Sequence, residues 1–118
     1  MKNINCLIVD DEALARNLVA NYSARLQHLS IVGEAANPLE ATSILQSEKV
    51  DLIFLDIQMP ELTGIEFLNT LTHKPLIIFT TAYKDYALAG YELDVVDYLL
   101  KPFRFERFYK LSIKPALN

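Results

Sequence analysis

The chain alternates between short apolar runs and amphipathic stretches. Five apolar runs predict β-strands at Asn5–Val9, Ser30–Ala35, Asp51–Leu55, Leu76–Thr80 and Val95–Leu99. Two of them, in "VDLIFLD" and "PLIIFTT", are apolar at successive positions, which predicts strands covered on both faces. Continuous apolar strands of this kind are typical of parallel sheets.

Helical patterns separate these strands. A first helix is predicted from apolar residues that recur every four positions and form one stripe, namely Leu14, Leu18, Tyr22 and Leu26. Asn37 followed by Pro38 predicts the N-cap and first residue of a second helix that runs to about Glu48. The remaining helices are predicted around residues 65–71, more weakly over residues 84–92, and from Arg104 to Pro115, with Phe105 and Phe108 facing inward.

Five successive strand–helix units predict a parallel sheet with helices on both faces, joined by right-handed crossovers. Such sheets bind ligands beyond the carboxyl ends of their strands, where the strand order reverses. Polar residues follow or end four of the predicted strands and are expected to meet at this edge, namely Asp10, Asp11, Asp56, Thr80, Thr81 and Lys101.

Length and composition indicate a single domain over residues 1–118. The chain is 52% hydrophobic and 22% charged, which is enough to form a core and argues against disorder. A net charge of −4 argues against a nucleic-acid surface on this domain. The lone cysteine, Cys6, excludes an internal disulfide and a cysteine-rich zinc site. No apolar run approaches the ~18 residues of a membrane span, so we expect a cytoplasmic protein.

The acidic residues at the predicted edge indicate a cation site. Asp10, Asp11 and Asp56 offer only oxygen ligands, which suits Mg²⁺. Lys101 and a threonine hydroxyl would complete a cradle for a phosphoryl group, with Asp56 as the nucleophile. Taken alone, the run from Asp10 to Glu12 could instead cap the first helix, where negative charge suits the helix dipole.

Gly64, in "PELTGIEF", has two interpretations that the sequence does not separate. It is either an indifferent residue at the start of the third helix or a position where two stretches of backbone pack closely.

Four motifs carry a family resemblance: "LIVDDE", "LIFLDIQMPELTGIEF", "IIFTTA" and "DYLLKPF", in this order and at the expected separations. Over nearly its whole length the chain resembles the receiver domains of response regulators in two-component signalling. The resemblance implies an α/β, flavodoxin-like (βα)5 three-layer sandwich. Its five-stranded parallel sheet would have the order 2-1-3-4-5.

The resemblance also implies the roles of the site residues. Asp56 would accept a phosphoryl group from a sensor histidine kinase. Asp11 would bind Mg²⁺ directly, Asp10 largely through water, and the backbone carbonyl of Gln58 would be a further ligand. Lys101 would bond the phosphoryl group.

Further roles concern switching. Thr81 matches the switch hydroxyl, with Thr80 as the neighbouring alternative, and Tyr98 matches the aromatic residue that turns inward when the threonine moves. Gln58 and Tyr83 lie at positions that tune the phosphate lifetime in this family. The bond before Pro102 is expected to be cis.

The segment "AYKDYALAGYELDVVDYLLKPF" resembles receivers of the LytTR group, whose output is a DNA-binding domain. We expect such an output domain to follow residue 118, so that DNA is contacted only through it; the alternative is a stand-alone receiver. The aromatic residues of the last third predict that the fourth helix, fifth strand and fifth helix form a homodimer surface strengthened by phosphorylation; the alternative is a loosely packed aromatic core.

Other functions fit less well. A receiver is a signalling domain, with only Mg²⁺-dependent self-phosphorylation and autodephosphorylation, and not a true enzyme. A haloacid-dehalogenase-like phosphatase would place an aspartate where this chain has Gln58. An FMN protein would have a glycine- and hydroxyl-rich loop after the first strand. A pseudo-receiver, which binds partners without phosphorylation, usually lacks an acidic residue or the lysine.

Overall fold

A computed structural model of the chain describes residues 3–84 and 95–111. The elements in chain order are β1 (Ile4–Val9), α1 (Ala13–Ala24), β2 (Leu29–Ala35), α2 (Pro38–Ser47), β3 (Leu52–Asp56), α3 (Gly64–Thr70), β4 (Leu76–Thr81), β5 (Asp97–Leu100) and α4 (Phe105–Tyr109). The fifth helix of the sequence prediction is therefore α4. The helix predicted over residues 84–92 falls, apart from Lys84, outside the described residues, as does Pro115. Within the described parts of the chain, no helix is long and apolar enough to cross a membrane.

The sheet has five parallel strands in the order β2-β1-β3-β4-β5. The chain moves outward from β1 to β2 and then crosses to the other side of β1, so the strand order reverses between β1 and β3. The predicted flavodoxin-like fold and its strand order are confirmed. Val9 pairs with Leu55 in the register of β1 and β3, so the residues that follow them lie side by side at the carboxyl edge.

Two apolar layers cover the sheet. Ile8 and Phe54 point to the layer that contains α1 and α4, whereas Leu7 and Leu55 point to the layer that contains α2 and α3. Every residue of β3 is buried, which confirms that this strand is covered on both faces. The result is the expected three-layer sandwich, with the central strands shielded from water.

The stripe predicted for α1 is partly wrong. Leu14 is 85% exposed, and the most deeply buried residues of α1 are Val19 and Ser23. A step of four residues overshoots one helical turn by about 40°, so Leu14 and Tyr22 lie about 80° apart around the helix axis and the stripe turns away from the sheet. Both ends of such a stripe cannot face the sheet, and Leu26, which follows α1, is the buried end.

The starts of the other helices follow local signals. Asn37 caps α2, because its side-chain oxygen accepts the backbone N–H of Glu40 at 2.8 Å, as predicted. Thr63 and Glu66 form a capping box at the start of α3 that the sequence prediction missed. In α4, Phe108 is fully buried as predicted, but Phe105 is only half-buried.

Candidate metal and phosphoryl site

Three carboxylates converge at the carboxyl edge of the sheet. One oxygen each from Asp10, Asp11 and Asp56 lies within 4.8 Å of the others. Asp10 and Asp11 follow β1, and Asp56 is the last residue of the adjacent β3. Asp10 and Asp56 are buried, whereas Asp11 is exposed at the rim. The expected gathering of acidic groups is therefore present.

Asp10 is tied into its surroundings through several polar atoms. Its Oδ1 accepts the backbone N–H of Glu12 at 2.9 Å, and its Oδ2 accepts Lys101 Nζ at 2.9 Å. Glu12, the N-cap residue of α1, makes no side-chain capping bond. The helix-start interpretation of the acidic run is thus correct in part, since Asp10 holds the turn into α1 while its carboxylate also faces the pocket.

Lys101 is the cation of the pocket. Its Nζ lies 2.9 Å from Asp10 Oδ2, 3.5 Å from Glu12 Oε1 and 3.6 Å from Asp56 Oδ1. The residue directly follows β5, and its backbone N–H donates to the carbonyl of Thr81 at 2.7 Å. The peptide bond between Lys101 and Pro102 is cis.

Among the residues that the structure describes, the pocket carries more negative than positive charge. Burial first, and then the charge of Asp10, raise the pKa of Asp56 to about 7 against the opposing influence of Lys101. Burial by itself would lower the pKa of Lys101, but the hydrogen bond and charge of Asp10, with the charges of Asp56 and Glu12, raise it overall. The ammonium group is therefore charged at neutral pH, and the acids around it still outnumber it.

The donor set fits a hard divalent cation. The cluster consists of three aspartates, so its ligand atoms are all carboxylate oxygens. Two of the three side chains, those of Asp10 and Asp56, are buried. Mg²⁺ is commonly bound by one or two carboxylates together with water and phosphate oxygens. An added positive charge would also oppose the repulsion between Asp10 and Asp56 that raises the Asp56 pKa.

Two buried threonines end β4. Thr80 pairs with Asp56 in the sheet register, and it lines a cleft together with Asp10 and Lys101. Thr81 is the last residue of the strand and pairs with Leu100. Both threonines therefore lie at the carboxyl edge of the sheet, and the shared cleft places Thr80 beside Asp10 and Lys101.

The hydroxyl of Thr81 organises the turn that leaves β4. Its Oγ1 accepts the backbone N–H of Tyr83 at 3.1 Å, and the Tyr83 side chain is exposed. This bond ties the first residues after β4 to the end of the strand.

Gln58 is directly beside Asp56, whereas Tyr98 lies on β5 and contacts Arg107. The backbone N–H of Gln58 donates to Asp56 Oδ1 at 3.3 Å, and the Gln58 side chain is exposed. Tyr98, on β5, is also exposed, and the Arg107 guanidinium lies over its ring at 5.7 Å. Arg107 Nη2 also donates to the Tyr98 carbonyl at 2.7 Å. Tyr98 is thus in an outward position that Arg107 stabilises.

The structure decides the role of Gly64. Its N–H donates to the carbonyl of Ile57 at 2.7 Å. A Cβ atom at this position would overlap the backbone carbonyl oxygen of Asp56 and lie 2.9 Å from the Cα of Ile57. Gly64 is therefore needed for close backbone packing directly behind the buried carboxylate.

Two further features near the site were not predicted from the sequence. Arg16 Nη1 donates to the backbone carbonyl of Asp10 at 2.7 Å. The only signal for it is a basic residue one helical turn after Glu12, which is common in surface helices. Glu61 has a φ of 69°, and the N–H of Leu62 bonds the carbonyl of Pro60 at 2.7 Å around it. Nothing in the residue type predicts that turn.

A parallel sheet with this strand order and an acidic cluster beside a lysine defines a class of signalling domain. Residues 6–112 match the family described as the response regulator receiver domain, and the chain belongs to this family.

Individual relatives indicate which group of receivers the chain resembles. The chain is 42% identical over 109 residues to the transcriptional regulatory protein BtsR of Salmonella typhimurium, and 42% identical over 107 residues to the sensory transduction protein LytT of Bacillus anthracis. Both are LytTR-type regulators, which confirms the resemblance to that group. The crystal structure of the response regulatory domain of protein mrkE from Klebsiella pneumoniae superposes with a TM-score of 0.82 at 34% identity, covering 98% of this chain and 100% of that one.

These alignments cover 91% and 88% of this chain but only 46% and 44% of BtsR and LytT. The chain thus spans less than half the length of these two relatives.

Proposed function

We propose that this chain is the phosphoacceptor of a two-component transcriptional regulator, with Asp56 as the residue phosphorylated by a sensor histidine kinase. The observation that carries the proposal is the convergence of Asp10, Asp11 and Asp56 with Lys101 at one edge of the sheet. A buried carboxylate with a strongly perturbed pKa, beside a specific charge partner, is typical of a functional site.

The proposed reaction is transfer of a phosphoryl group from the kinase histidine to Asp56. One carboxylate oxygen of Asp56 forms a bond to phosphorus, while the bond from phosphorus to the histidine nitrogen breaks and that nitrogen keeps the electron pair. Lys101 donates a hydrogen bond to a phosphoryl oxygen. The N–H of Gln58, which already points at Asp56 Oδ1, orients the nucleophile.

Mg²⁺ is the cofactor of this proposal, held by Asp11 and Asp56, with Asp10 acting through water and the Gln58 carbonyl as a further ligand. When bound, it supplies the positive charge that keeps the acids ionised and balances the phosphoryl oxygens. The raised pKa of Asp56 supports this assignment, because without an added cation part of the Asp56 population is protonated at neutral pH and cannot attack phosphorus.

The phosphoryl group then shifts a conformational equilibrium. Thr81 moves toward the phosphoryl group, and Tyr98 leaves its outward position. Moving the population from 1:99 to 99:1 requires about 5.5 kcal/mol of differential binding. Tyr98 and Tyr109 are exposed large aromatics on β5 and α4, which supports a homodimer surface that includes these two elements.

We further propose that the full-length protein carries a LytTR-type DNA-binding output domain after this receiver. It would act in the cytoplasm, and contact DNA through that output alone. The support is that the BtsR relative is named a transcriptional regulatory protein and is more than twice as long as the matched region. The net charge of −4 on this chain agrees with a receiver that does not itself bind DNA.

The test is the intact mass of the chain after incubation with acetyl phosphate, with and without Mg²⁺. Wild type is expected to gain one phosphoryl group only when Mg²⁺ is present, and Asp56→Asn is expected to gain none. Asp51→Asn, which changes the aspartate immediately before β3 at the opposite edge of the sheet, is the matched control and should behave as wild type.

Other outcomes would overturn the assignment. A folded wild-type chain that gains no phosphoryl group would be a pseudo-receiver. A gain that persists in Asp56→Asn would place the acceptor elsewhere. Repeated turnover of a phosphomonoester would indicate a phosphatase of the haloacid-dehalogenase kind.

A further inference from the structure

Arg16, on α1, reaches back to the end of β1. Its Nη1 donates to the backbone carbonyl of Asp10 at 2.7 Å, and its Nε lies 3.8 Å from Glu34 Oε1 on β2. The Arg16 side chain is only 21% exposed. The guanidinium therefore bridges the loop that carries two of the acidic residues and a neighbouring strand.

The contact with Asp10 fixes a peptide plane. The Asp10 carbonyl belongs to the same planar unit as the N–H of Asp11. A hydrogen bond to that carbonyl therefore limits the rotation that sets the direction in which Asp11 leaves the strand. Asp11 is the exposed member of the acidic cluster, so burial constrains its side chain less than those of Asp10 and Asp56.

The other polar atoms of Asp10 are already engaged. Its N–H donates to the carbonyl of Ala35 at 3.0 Å, and its two carboxylate oxygens accept from Glu12 and Lys101. The Arg16 bond is the contact that holds the carbonyl side of the residue. Without this hydrogen bond, the guanidinium would no longer limit the rotation of the Asp10–Asp11 peptide.

We propose that Arg16 is a positioning residue for the divalent-cation site. It orients the Asp10–Asp11 peptide so that the Asp11 carboxylate faces Asp56, and Glu34 holds the guanidinium in place. The inference deepens the proposed function and depends on the site taking Mg²⁺. Arg16 contacts neither the cation nor the phosphoryl group in this proposal.

Electrostatics and positioning predict opposite effects of removing Arg16. Its positive charge lies near an acidic pocket, so charge alone would make Arg16→Gln bind Mg²⁺ more tightly. If Arg16 positions Asp11, the same substitution weakens Mg²⁺ binding. Residues that orient metal ligands from outside the coordination sphere typically contribute 10–100-fold to metal affinity. The sign of the change therefore separates the two explanations.

The experiment is calorimetric titration of the metal-free chain with Mg²⁺. Arg16→Gln is expected to raise the dissociation constant for Mg²⁺ about tenfold. Arg16→Lys keeps the charge but cannot contact the Asp10 carbonyl and Glu34 with two separate nitrogens, so a smaller increase is expected. Glu34→Gln is expected to weaken binding in the same direction by a smaller factor. Arg25→Gln is the matched control, because Arg25 directly follows α1 and its guanidinium lies over the Tyr22 and Phe105 rings.

A kinetic readout separates positioning from general damage. In phosphorylation by acetyl phosphate, Arg16→Gln is expected to raise the Mg²⁺ concentration needed for half-maximal rate while leaving the rate at saturating Mg²⁺ within about twofold of wild type. Arg16→Gln with unchanged or tighter Mg²⁺ binding overturns the inference and leaves the proposed function standing.

Two further results also decide the question. A wild-type chain that binds no Mg²⁺ overturns both the inference and the proposed cofactor. If Arg16→Gln does not fold, Arg16→Lys and Glu34→Gln carry the test, and wild-type affinity in both overturns the inference.

Discussion

Lys101 Nζ lies 2.9 Å from Asp10 Oδ2 but 3.6 Å from Asp56 Oδ1. Lys101 therefore pairs mainly with Asp10, which is proposed to belong to the Mg²⁺ site, and less closely with Asp56, the proposed phosphoacceptor. The family resemblance implies that Lys101 bonds a phosphoryl group on Asp56. In that role the ammonium would lie closer to Asp56, and a divalent cation would supply positive charge beside Asp10.

The first prediction concerns this competition. Lys101→Met removes a charge that shares the pocket with the cation, so Mg²⁺ binding is expected to tighten. The change is on the order of fivefold, for a charge interaction of about 1 kcal/mol near water. Calorimetric titration with Mg²⁺ measures it, and Lys49→Met, at the opposite edge of the sheet, is the control. Weaker Mg²⁺ binding in Lys101→Met would show that the lysine organises the acids instead of competing for them.

The second prediction concerns pH. The folded-state pKa of Asp56 is raised to about 7 from an ordinary 3.8. The native state therefore binds more protons than the unfolded state between these values, so this residue's contribution to stability falls as the pH rises from about 4 to about 7. Asp56→Asn removes that penalty. It is expected to stabilise the metal-free chain at pH 8, on the order of 2 to 4 kcal/mol, and much less at pH 4.5.

Urea unfolding at the two pH values, without divalent cations, measures this difference. Asp51→Asn serves as the control, because Asp51 directly precedes β3 and lies at the edge of the sheet opposite the pocket. An Asp56→Asn stabilisation that is the same at both pH values would mean that Asp56 titrates normally in the folded state.

The third prediction concerns Gly64. Gly64→Ala places a methyl group against the Asp56 carbonyl and the Ile57 backbone, and backbone atoms cannot move aside as a flexible side chain does. We expect a loss of about 1–3 kcal/mol in unfolding free energy, together with slower phosphorylation of Asp56.

Gly33→Ala is the matched control for this overlap. A Cβ there meets the side chain of Ile44 at 3.0 Å, which can rearrange, so a smaller loss is expected. Urea denaturation of both variants makes the comparison. Equal losses would contradict the view that backbone overlap behind Asp56 sets the requirement for glycine.

The fourth prediction separates the two threonines. If Thr81 is the switch hydroxyl, Thr81→Ala should still be phosphorylated on Asp56 but should dimerise less in response. Thr80→Ala, which alters the residue that pairs with Asp56 in the sheet, should keep the coupling. Sedimentation with and without a phosphoryl mimic measures it. If phosphorylation still drives dimerisation in Thr81→Ala but not in Thr80→Ala, the two assignments are exchanged. A wild-type chain that stays monomeric in both states would contradict the dimer surface.

Much of the fold was predictable because its signals are local. Continuous apolar runs indicated strands covered on both sides, and Asn37 with Pro38 located the start of α2. The edge at which the acidic residues gather was also predictable, since residues that follow or end parallel strands lie at the same carboxyl edge of the sheet. The strand order depended on the resemblance to a known family, because periodicity alone does not state which strands are adjacent.

The sequence by itself determined the alternation of strands and helices, the edge at which Asp10, Asp11 and Asp56 gather, and the oxygen-only chemistry of that edge. The tertiary structure decided which contacts are made there: Lys101 on Asp10, Arg16 on the Asp10 carbonyl, and Gly64 behind Asp56. Each of these depends on the distance between elements that pack against each other. No local pattern of residues encodes that distance.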